Sequence, residues 1–291
     1  MKGGRIWYRR VGMERKNIPL IILHGGPGGC HDAYEPLEAL SDERPVVFYD
    51  QLGCGNSDKP EDDSLWTIDR YAEELAQLRQ SLKLERSHLL GHSWGATLAA
   101  HYMISHRPAG IVSLTLSSPF LSGPLWEKDQ RRFLSKMPSG VRRIVKGAAI
   151  SRNFSSKKYQ NAVMKYYRKH ICRLDPWPEC LKISFSKTAL NVYEYMWGPS
   201  EITITGTLKD YDCTERLKRI RVPTLFLCGK YDEASPGTTA NFNSKLPGSE
   251  LVVFQRSSHM TFLEQTNDYL KVLRTFMMRS EKRYRGGQSK V

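Results

Sequence analysis

The sequence predicts an α/β fold with a mostly parallel sheet and helices on both faces. Two observations support this class: short apolar runs rich in β-branched residues, and helical periodicity between those runs. Each run is bounded by Gly, Pro, Asp or Ser, and runs this apolar suit strands that are covered on both faces. The six predicted strands are Leu20–Leu23, Val46–Tyr49, His88–Leu90, Val112–Leu116, Thr224–Leu227 and Leu251–Phe254.

Helical patterns lie between the strand runs. In the segment Asp69–Leu82 the apolar residues recur at spacings of four, three and four, and Thr67 or Asp69 can cap its start. The segment Gly95–Ser105 is small and apolar, which is expected for a helix packed beneath a sheet. The first helix precedes the predicted strand His88–Leu90 and the second follows it, so strands and helices alternate over this part of the chain, as in an α/β protein.

The alternation stops between Ser122 and Tyr211, where Lys, Arg, Tyr and Trp are frequent and several amphipathic helices are predicted. It resumes at Thr224. We therefore expect a core domain formed by residues 1–121 and 212–291, with an inserted helical cap over residues 122–211. The polar, Gly-containing end of the chain, Arg283–Val291, is expected to be a loose tail.

Composition argues against several classes of protein. The 291 residues are 40% hydrophobic and 25% charged, which is a globular rather than a disordered composition. The start, Met1–Trp7, lacks the apolar run of a secretory signal, and the longest apolar stretch, Ile18–Leu23, is too short to span a bilayer. We therefore expect a cytoplasmic protein without membrane contact. The six scattered cysteines form no C-x-x-C pair, so buried free thiols are expected rather than a metal site or disulfides.

The formal net charge of +14 raises the question of nucleic-acid binding. The basic residues are concentrated in the middle of the chain, where Trp126–Ile220 contains 20 Lys or Arg against 9 Asp or Glu. No nucleic-acid motif accompanies them, and they are interleaved with aromatic and acidic residues. We therefore favour a solvated basic surface over nucleic-acid binding.

The strongest chemical signal is Gly91-His92-Ser93-Trp94-Gly95, which fits G-x-S-x-G. It follows a predicted strand and opens a predicted helix, and this context matters more than the pattern alone. A sharp strand-to-helix turn lifts the serine hydroxyl out of the sheet and needs small residues around it. The helix N-terminus favours developing negative charge. Ser93 is therefore the predicted nucleophile of a serine hydrolase with the α/β-hydrolase fold.

A serine nucleophile needs a base, and this fold supplies its partners in the chain order Ser, acid, His. Asp232 follows the strand Thr224–Leu227, and His259 follows the strand Leu251–Phe254. We expect His259 to take the proton from Ser93 and Asp232 to orient the imidazole. Taken singly, the histidine could be a surface-loop residue and the aspartate a turn residue.

An oxyanion hole needs backbone donors. One is expected from the N–H of Trp94, the residue after the nucleophile, and another from the loop His24–Gly28, whose glycines let the backbone approach a substrate. The loop is not a Walker phosphate loop, because the Lys-Ser/Thr of that motif is missing.

Several motifs together resemble the proline iminopeptidase family of α/β-hydrolases, and most closely its tricorn-interacting aminopeptidase branch. They extend over nearly the whole chain, including the predicted cap. The motifs HGGPG and DQLGCGNS are fairly specific to this group, whereas the serine motif GHSWG is not. The motifs are HGGPG at His24–Gly28, DQLGCGNS at Asp50–Ser57, GHSWG at Gly91–Gly95, GPSEITITGTLKDYD at Gly198–Asp212, GKYDEASP at Gly229–Pro236 and SSHM at Ser257–Met260.

The resemblance implies a serine exopeptidase, free of metal and cofactor, that releases proline or another N-terminal residue from short peptides or amino-acid amides. It implies that Glu201 and Glu233 bind the free amine, and that Gly26 and Trp94 supply the oxyanion donors. Some family members carry Tyr where this chain has Trp94, so a different pocket wall is expected there. Two alternatives stay open: an amino-acid amidase or esterase with the same triad, and a non-catalytic ligand receptor of the same fold. The oligomeric state is not predicted.

Overall fold

The computed structural model describes residues 2–288, and its centre is a seven-stranded sheet. The strands lie in the order β1-β3-β2-β4-β5-β6-β7. From β3 to β7 all neighbours pair in parallel, whereas β1 pairs antiparallel with β3 at one edge. The strands are β1 Tyr8–Val11, β2 Leu20–Leu23, β3 Val46–Tyr49, β4 Ser87–His92, β5 Ile111–Ser117, β6 Thr224–Gly229 and β7 Glu250–Phe254.

The six strands predicted from the apolar runs are confirmed, with ends that differ by two residues at most. The strand β1 was not predicted. Its sequence, Tyr-Arg-Arg-Val, is mostly exposed and has no apolar run, because an antiparallel edge strand with one open face does not need one. Its pairing with β3 is set by main-chain hydrogen bonds that leave no clear sequence pattern.

Ten α-helices are found among the described residues. They are α1 Ile68–Ser81, α2 Trp94–Ser105, α3 Gly123–Ser135, α4 Ser139–Ser151, α5 Lys157–His170, α6 Glu179–Ser186, α7 Leu190–Met196, α8 Pro236–Ser244, α9 Thr261–Glu264 and α10 Thr266–Gln288. The first begins as predicted, since the Thr67 hydroxyl accepts a hydrogen bond from the Arg70 amide.

Helices cover the sheet on both faces, as predicted, and the alternation of side chains along the strands explains how. Along β2, Ile21 and Leu23 join a core with α1 and α2, whereas Leu20 and Ile22 join a second core with α10. Because both sets are buried, every residue of the strand is apolar. Because β2 to β7 are parallel, their carboxyl ends lie at one common edge of the sheet.

The helices α3 to α7 lie between β5 and β6 in the chain. The two ends of this insertion meet, because Ser122 and Asp212 form an antiparallel bridge and the Ser122 hydroxyl donates to the Asp212 carboxylate. The bridge coincides with the predicted limits of the cap, although the division into two domains stays a prediction. The segment 130–174 contains thirteen Lys or Arg and no Asp or Glu, and all thirteen side chains are exposed.

The prediction of a loose C-terminal tail is wrong for residues 283–288, which continue α10; residues 289–291 lie outside the described part. The helix is anchored by Glu281, a buried residue whose carboxylate accepts hydrogen bonds from Arg44 at 2.6 Å and His88 at 3.1 Å. These partners are far away in sequence, so the polar composition of the tail does not reveal them.

All six cysteines are free thiols, five of them buried and Cys180 half-buried, as predicted. Among residues 2–288, none of the helices has the length and apolar character needed to cross a membrane.

Candidate active site

Ser93 occupies a strained turn between β4 and α2. Its φ of 55° and ψ of −120° lie in a region that residues other than glycine rarely adopt. Gly91 and Gly95 lie on either side of Ser93, because neither position has space for a side chain. A Cβ on Gly91 would lie 2.2 Å from the Gly95 carbonyl oxygen, and one on Gly95 would lie 2.1 Å from that of Leu23. The hydroxyl of Ser93 makes no capping hydrogen bond to α2, so it is available for chemistry.

Asp232 and His259 are brought together by the ends of β6 and β7. His259 Nδ1 lies 2.8 Å from Asp232 Oδ1, and both side chains are buried. The same carboxylate accepts hydrogen bonds from the amides of Ala234 at 2.8 Å and Gly229 at 3.2 Å, which fix its orientation. The imidazole is thus held with Nε2 free to act as a base.

The main chain of His259 is also fixed. Its carbonyl oxygen accepts hydrogen bonds from His92 Nε2 at 3.1 Å and from the Ser118 hydroxyl at 3.0 Å. Its amide donates to the His170 carbonyl at 3.1 Å, which links the loop to α5. A base whose backbone and ring are both held is oriented before substrate arrives.

The loop after β2 approaches Ser93 closely. Gly26 has a φ of +119°, and a Cβ there would lie 2.6 Å from the Gly29 nitrogen, so only glycine fits without strain. A Cβ on Gly25 would lie 3.2 Å from the Ser93 Cβ. Trp94 is the first residue of α2, where amides have no partner within the helix. Both segments predicted to donate to an oxyanion therefore lie beside Ser93.

A cavity of about 360 Å³ lies above the carboxyl ends of β2, β4 and β7 and beneath α5, α6 and α7. Of the predicted site residues, five line it: Gly26, Ser93, Glu201, Glu233 and His259. The Asp232 side chain is behind His259, in contact with the ring rather than the cavity. A volume of this size suits a small ligand rather than a folded chain.

The Trp94 side chain does not line the cavity, so the expected change of pocket wall at this position is wrong. The indole is fully buried in the core with Tyr71, at a ring-centroid distance of 5.9 Å, and it donates from Nε1 to Gln51. Only the backbone of Trp94 remains at the site.

Two glutamates face the cavity beside the imidazole. Glu233 is fully buried and its Oε1 lies 3.8 Å from His259 Nε2, yet neither of its carboxylate oxygens has a hydrogen-bond partner among the described residues. Glu201 is half-buried, and within the same part of the chain its Oε2 also lacks a partner. Buried acceptors without donors are rare, and they mark a place where a ligand can supply them.

Burial shifts the protonation of both acids. Desolvation raises the pKa of Glu201 to about 7, against the opposing effects of the Tyr193 hydrogen bond and of His259. Desolvation, together with the charges of Glu201 and Asp232, raises the pKa of Glu233 well above its usual range. Both carboxyl groups therefore bind a proton more readily than exposed glutamates do.

The predicted set of site residues omits the tyrosines that orient Glu201. The Tyr193 hydroxyl donates to Glu201 Oε1 at 2.7 Å, and the Tyr167 hydroxyl accepts from the Glu201 amide at 3.2 Å. Tyr193 lies on α7 and Tyr167 on α5, and both line the cavity. No motif marks them, since each reaches the glutamate only through the packing of the helices.

Comparison with known proteins places this chain in a family. A family model described as the alpha/beta hydrolase fold matches residues 18–266. A proline iminopeptidase from Heyndrickxia coagulans is 44% identical to this chain, covering 94% of this chain and 96% of the relative. The chain belongs to the proline iminopeptidase family. The family resemblance inferred from the motifs is therefore confirmed, whereas its particular branch stays a prediction.

Solved structures agree with the family assignment. The crystal structure of a proline iminopeptidase from Mycobacterium smegmatis has a TM-score of 0.89 and 31% sequence identity, and the crystal structure of VinJ has a TM-score of 0.92 and 31% identity. Each match covers 96% of this chain and 96% of the other. The similarity to the proline iminopeptidase family thus includes the helices between β5 and β6 as well as the sheet.

Proposed function

We propose that this chain is a serine aminopeptidase that removes the first residue of short peptides with a free amine. Membership of the proline iminopeptidase family supports a hydrolase that acts on peptide bonds. The roles proposed below for individual residues are supported by the geometry of the cavity.

Ser93 attacks the carbonyl carbon of the first residue while His259 Nε2 takes the hydroxyl proton. The oxygen of the tetrahedral intermediate accepts hydrogen bonds from the amides of Gly26 and Trp94. His259 then returns the proton to the leaving amine, and an ester between Ser93 and the first residue remains. Water, deprotonated by His259, attacks this ester, His259 passes the proton to the departing Ser93 oxygen, and the amino acid is released. Asp232 supports the imidazole through its 2.8 Å contact with Nδ1.

The observation that carries the substrate assignment is the pair of carboxylates with unpartnered oxygens, Glu201 and Glu233. A substrate ammonium, or the secondary ammonium of proline, supplies N–H donors and positive charge to both. Since Glu233 lies 3.8 Å from His259, an amine held there lies close to the base, and the adjacent carbonyl can reach Ser93. The first residue, not an internal one, is therefore the residue cleaved.

The same pair explains why a blocked amine is rejected. A hydrogen bond to a charged group contributes roughly 1.5–3 kcal/mol, and an acylated nitrogen would leave both acids unpaired in a buried site. A site built around a buried polar partner can reject a ligand that lacks it by a factor on the order of 10⁴. Preference for free amines thus follows from burial rather than from the size of the cavity.

The test is a panel of aminoacyl-arylamides, each measured with a free and an acetylated amine. We expect hydrolysis only of the free forms, labelling of the wild type by a fluorophosphonate, and loss of both in Ser93→Ala. Rapid cleavage of acetylated esters would instead favour an esterase, and preference for amino-acid amides over dipeptides would favour an amidase. Failure to label Ser93 would favour a ligand receptor without catalysis.

A further inference from the structure

The segment Asp50–Ser57 follows β3 and has no role in the reaction as proposed. Its second residue, Gln51, is fully buried, and three of its hydrogen bonds connect it to His24 and Trp94. Its main-chain amide donates to His24 Nε2 at 3.0 Å. In its side chain, Nε2 donates to the His24 carbonyl oxygen at 3.2 Å, and Oε1 accepts from Trp94 Nε1 at 2.8 Å. Every polar atom of the side-chain amide group is thus directed at one of two residues.

These two residues begin the two segments that supply the oxyanion donors. His24 follows β2 and starts the loop that contains Gly26, whereas Trp94 follows Ser93 at the end of β4. The strands lie in the order β3-β2-β4, so the side chain of Gln51 reaches across the end of β2 to the start of α2. It is therefore placed to set the separation of the loop and the helix.

The ring of His24 is fixed by the same contacts. Because Nε2 accepts from the Gln51 amide, the proton must be on Nδ1, which lies 2.9 Å from the Gly25 carbonyl oxygen and donates to it. Burial lowers the pKa of His24, which agrees with the neutral ring that this arrangement needs. The loop is thus tied to Gln51 through both its main chain and its first side chain.

We infer that Gln51 is a positioning residue for the oxyanion hole. It joins the His24–Gly28 loop to Trp94, so that the main-chain amides of Gly26 and Trp94 reach the same oxygen of the tetrahedral intermediate. The inference rests on the proposed function. A carboxamide is needed because the site requires a donor toward a carbonyl and an acceptor for an indole at once. Glutamate would offer acceptors only, and methionine would offer neither at comparable strength.

The test compares Gln51→Met, Trp94→Phe and the double variant. Removal of an oxyanion donor lowers kcat by about 10²–10³, and displacement of a donor that stays in place should do less. We expect each single variant to lower kcat about 10- to 100-fold with KM changed less than about twofold. The double variant should lose no more than the worse single variant, because both changes break the same link.

A transition-state analogue separates positioning from general damage. L-Prolinal forms a hemiacetal with the nucleophilic serine and places an oxygen in the oxyanion hole, whereas free L-proline does not. We expect the affinity for L-prolinal to fall in parallel with kcat in all three variants, and the affinity for L-proline to stay unchanged. Trp66→Phe is the matched control, because Trp66 is an equally buried indole that donates to Asp63 instead. Its kcat should stay within about twofold of the wild type.

Three results would overturn the inference: unchanged kcat in Gln51→Met and Trp94→Phe, losses that multiply in the double variant, or equal weakening of L-prolinal and L-proline. If Gln51→Met fails to fold, Trp94→Phe still decides, since it keeps the backbone donor and removes the link, while Trp66→Phe reports the effect of losing a buried indole alone. A wild type that neither hydrolyses arylamides nor labels at Ser93 would instead refute the proposed function.

Discussion

Glu201→Gln should make the protein more stable above pH 7 while making it a worse enzyme. Raising the pKa of this carboxyl from 4.5 to about 7 corresponds to about 3 kcal/mol when both folded and unfolded forms are ionised, since each pKa unit is worth about 1.36 kcal/mol. Because Glu201 is only half-buried, we regard this as the upper value. A glutamine keeps an acceptor for Tyr193 and removes the charge.

The sign of the pH dependence follows from the direction of the shift. A folded-state pKa raised above the unfolded value contributes stability that is complete below pH 4.5 and is lost as pH rises through about 7. The variant lacks this titration. We therefore expect its melting temperature to match that of the wild type near pH 4.5 and to exceed it by about 5 °C near pH 8.

The assay is thermal unfolding followed by circular dichroism at both pH values, with Glu194→Gln as the matched control. Glu194 is an exposed glutamate on α7, so its replacement removes the same charge without relieving burial, and it should shift the melting temperature equally at both pH values. In Glu201→Gln, KM for an aminoacyl-arylamide should rise about 10- to 150-fold, the equivalent of one lost charged hydrogen bond. A melting temperature that changes equally at pH 4.5 and pH 8 would refute the reasoning.

Four further outcomes are expected. Glu233→Gln should raise KM for free-amine substrates about 100-fold, with hydrolysis of p-nitrophenyl acetate within a few-fold of wild type; a parallel loss on the ester would contradict amine binding. Tyr193→Phe should raise KM about tenfold at constant kcat, because Glu201 loses its 2.7 Å donor; steady-state kinetics checks this. Asp232→Asn should lower kcat about 10⁴-fold without changing the fold by circular dichroism. In the wild type, KM should fall as pH rises through about 7, since Glu201 then ionises, and a KM independent of pH between 6 and 8 would disagree.

Ser93, the proposed nucleophile, could be predicted from sequence because the constraints on its turn are local. Gly91 and Gly95 are needed by contacts within the turn itself or with the adjacent strand end, so the pattern around Ser93 carries most of its geometry. Asp232 and His259 could be predicted for a similar reason, since each directly follows an apolar strand whose position in a parallel sheet is fixed.

The acid pair could be identified only by family resemblance. Glu201 and Glu233 are separated by 31 intervening residues and by β6, and neither lies in a pattern that indicates burial. Their unpartnered oxygens and raised pKa values arise from the helices packed above the sheet. The same packing supplies Tyr167 and Tyr193.

Sequence alone thus determined the fold class, the helical insertion and the three residues proposed for catalysis, because these depend on short-range periodicity and on close contacts within turns. Tertiary structure alone decided four other features: the edge strand β1, the helical C-terminal segment held by Glu281, the buried indole of Trp94 and the link through Gln51. Each depends on partners distant in the chain, and polar contacts of that kind leave no periodic signal in the sequence.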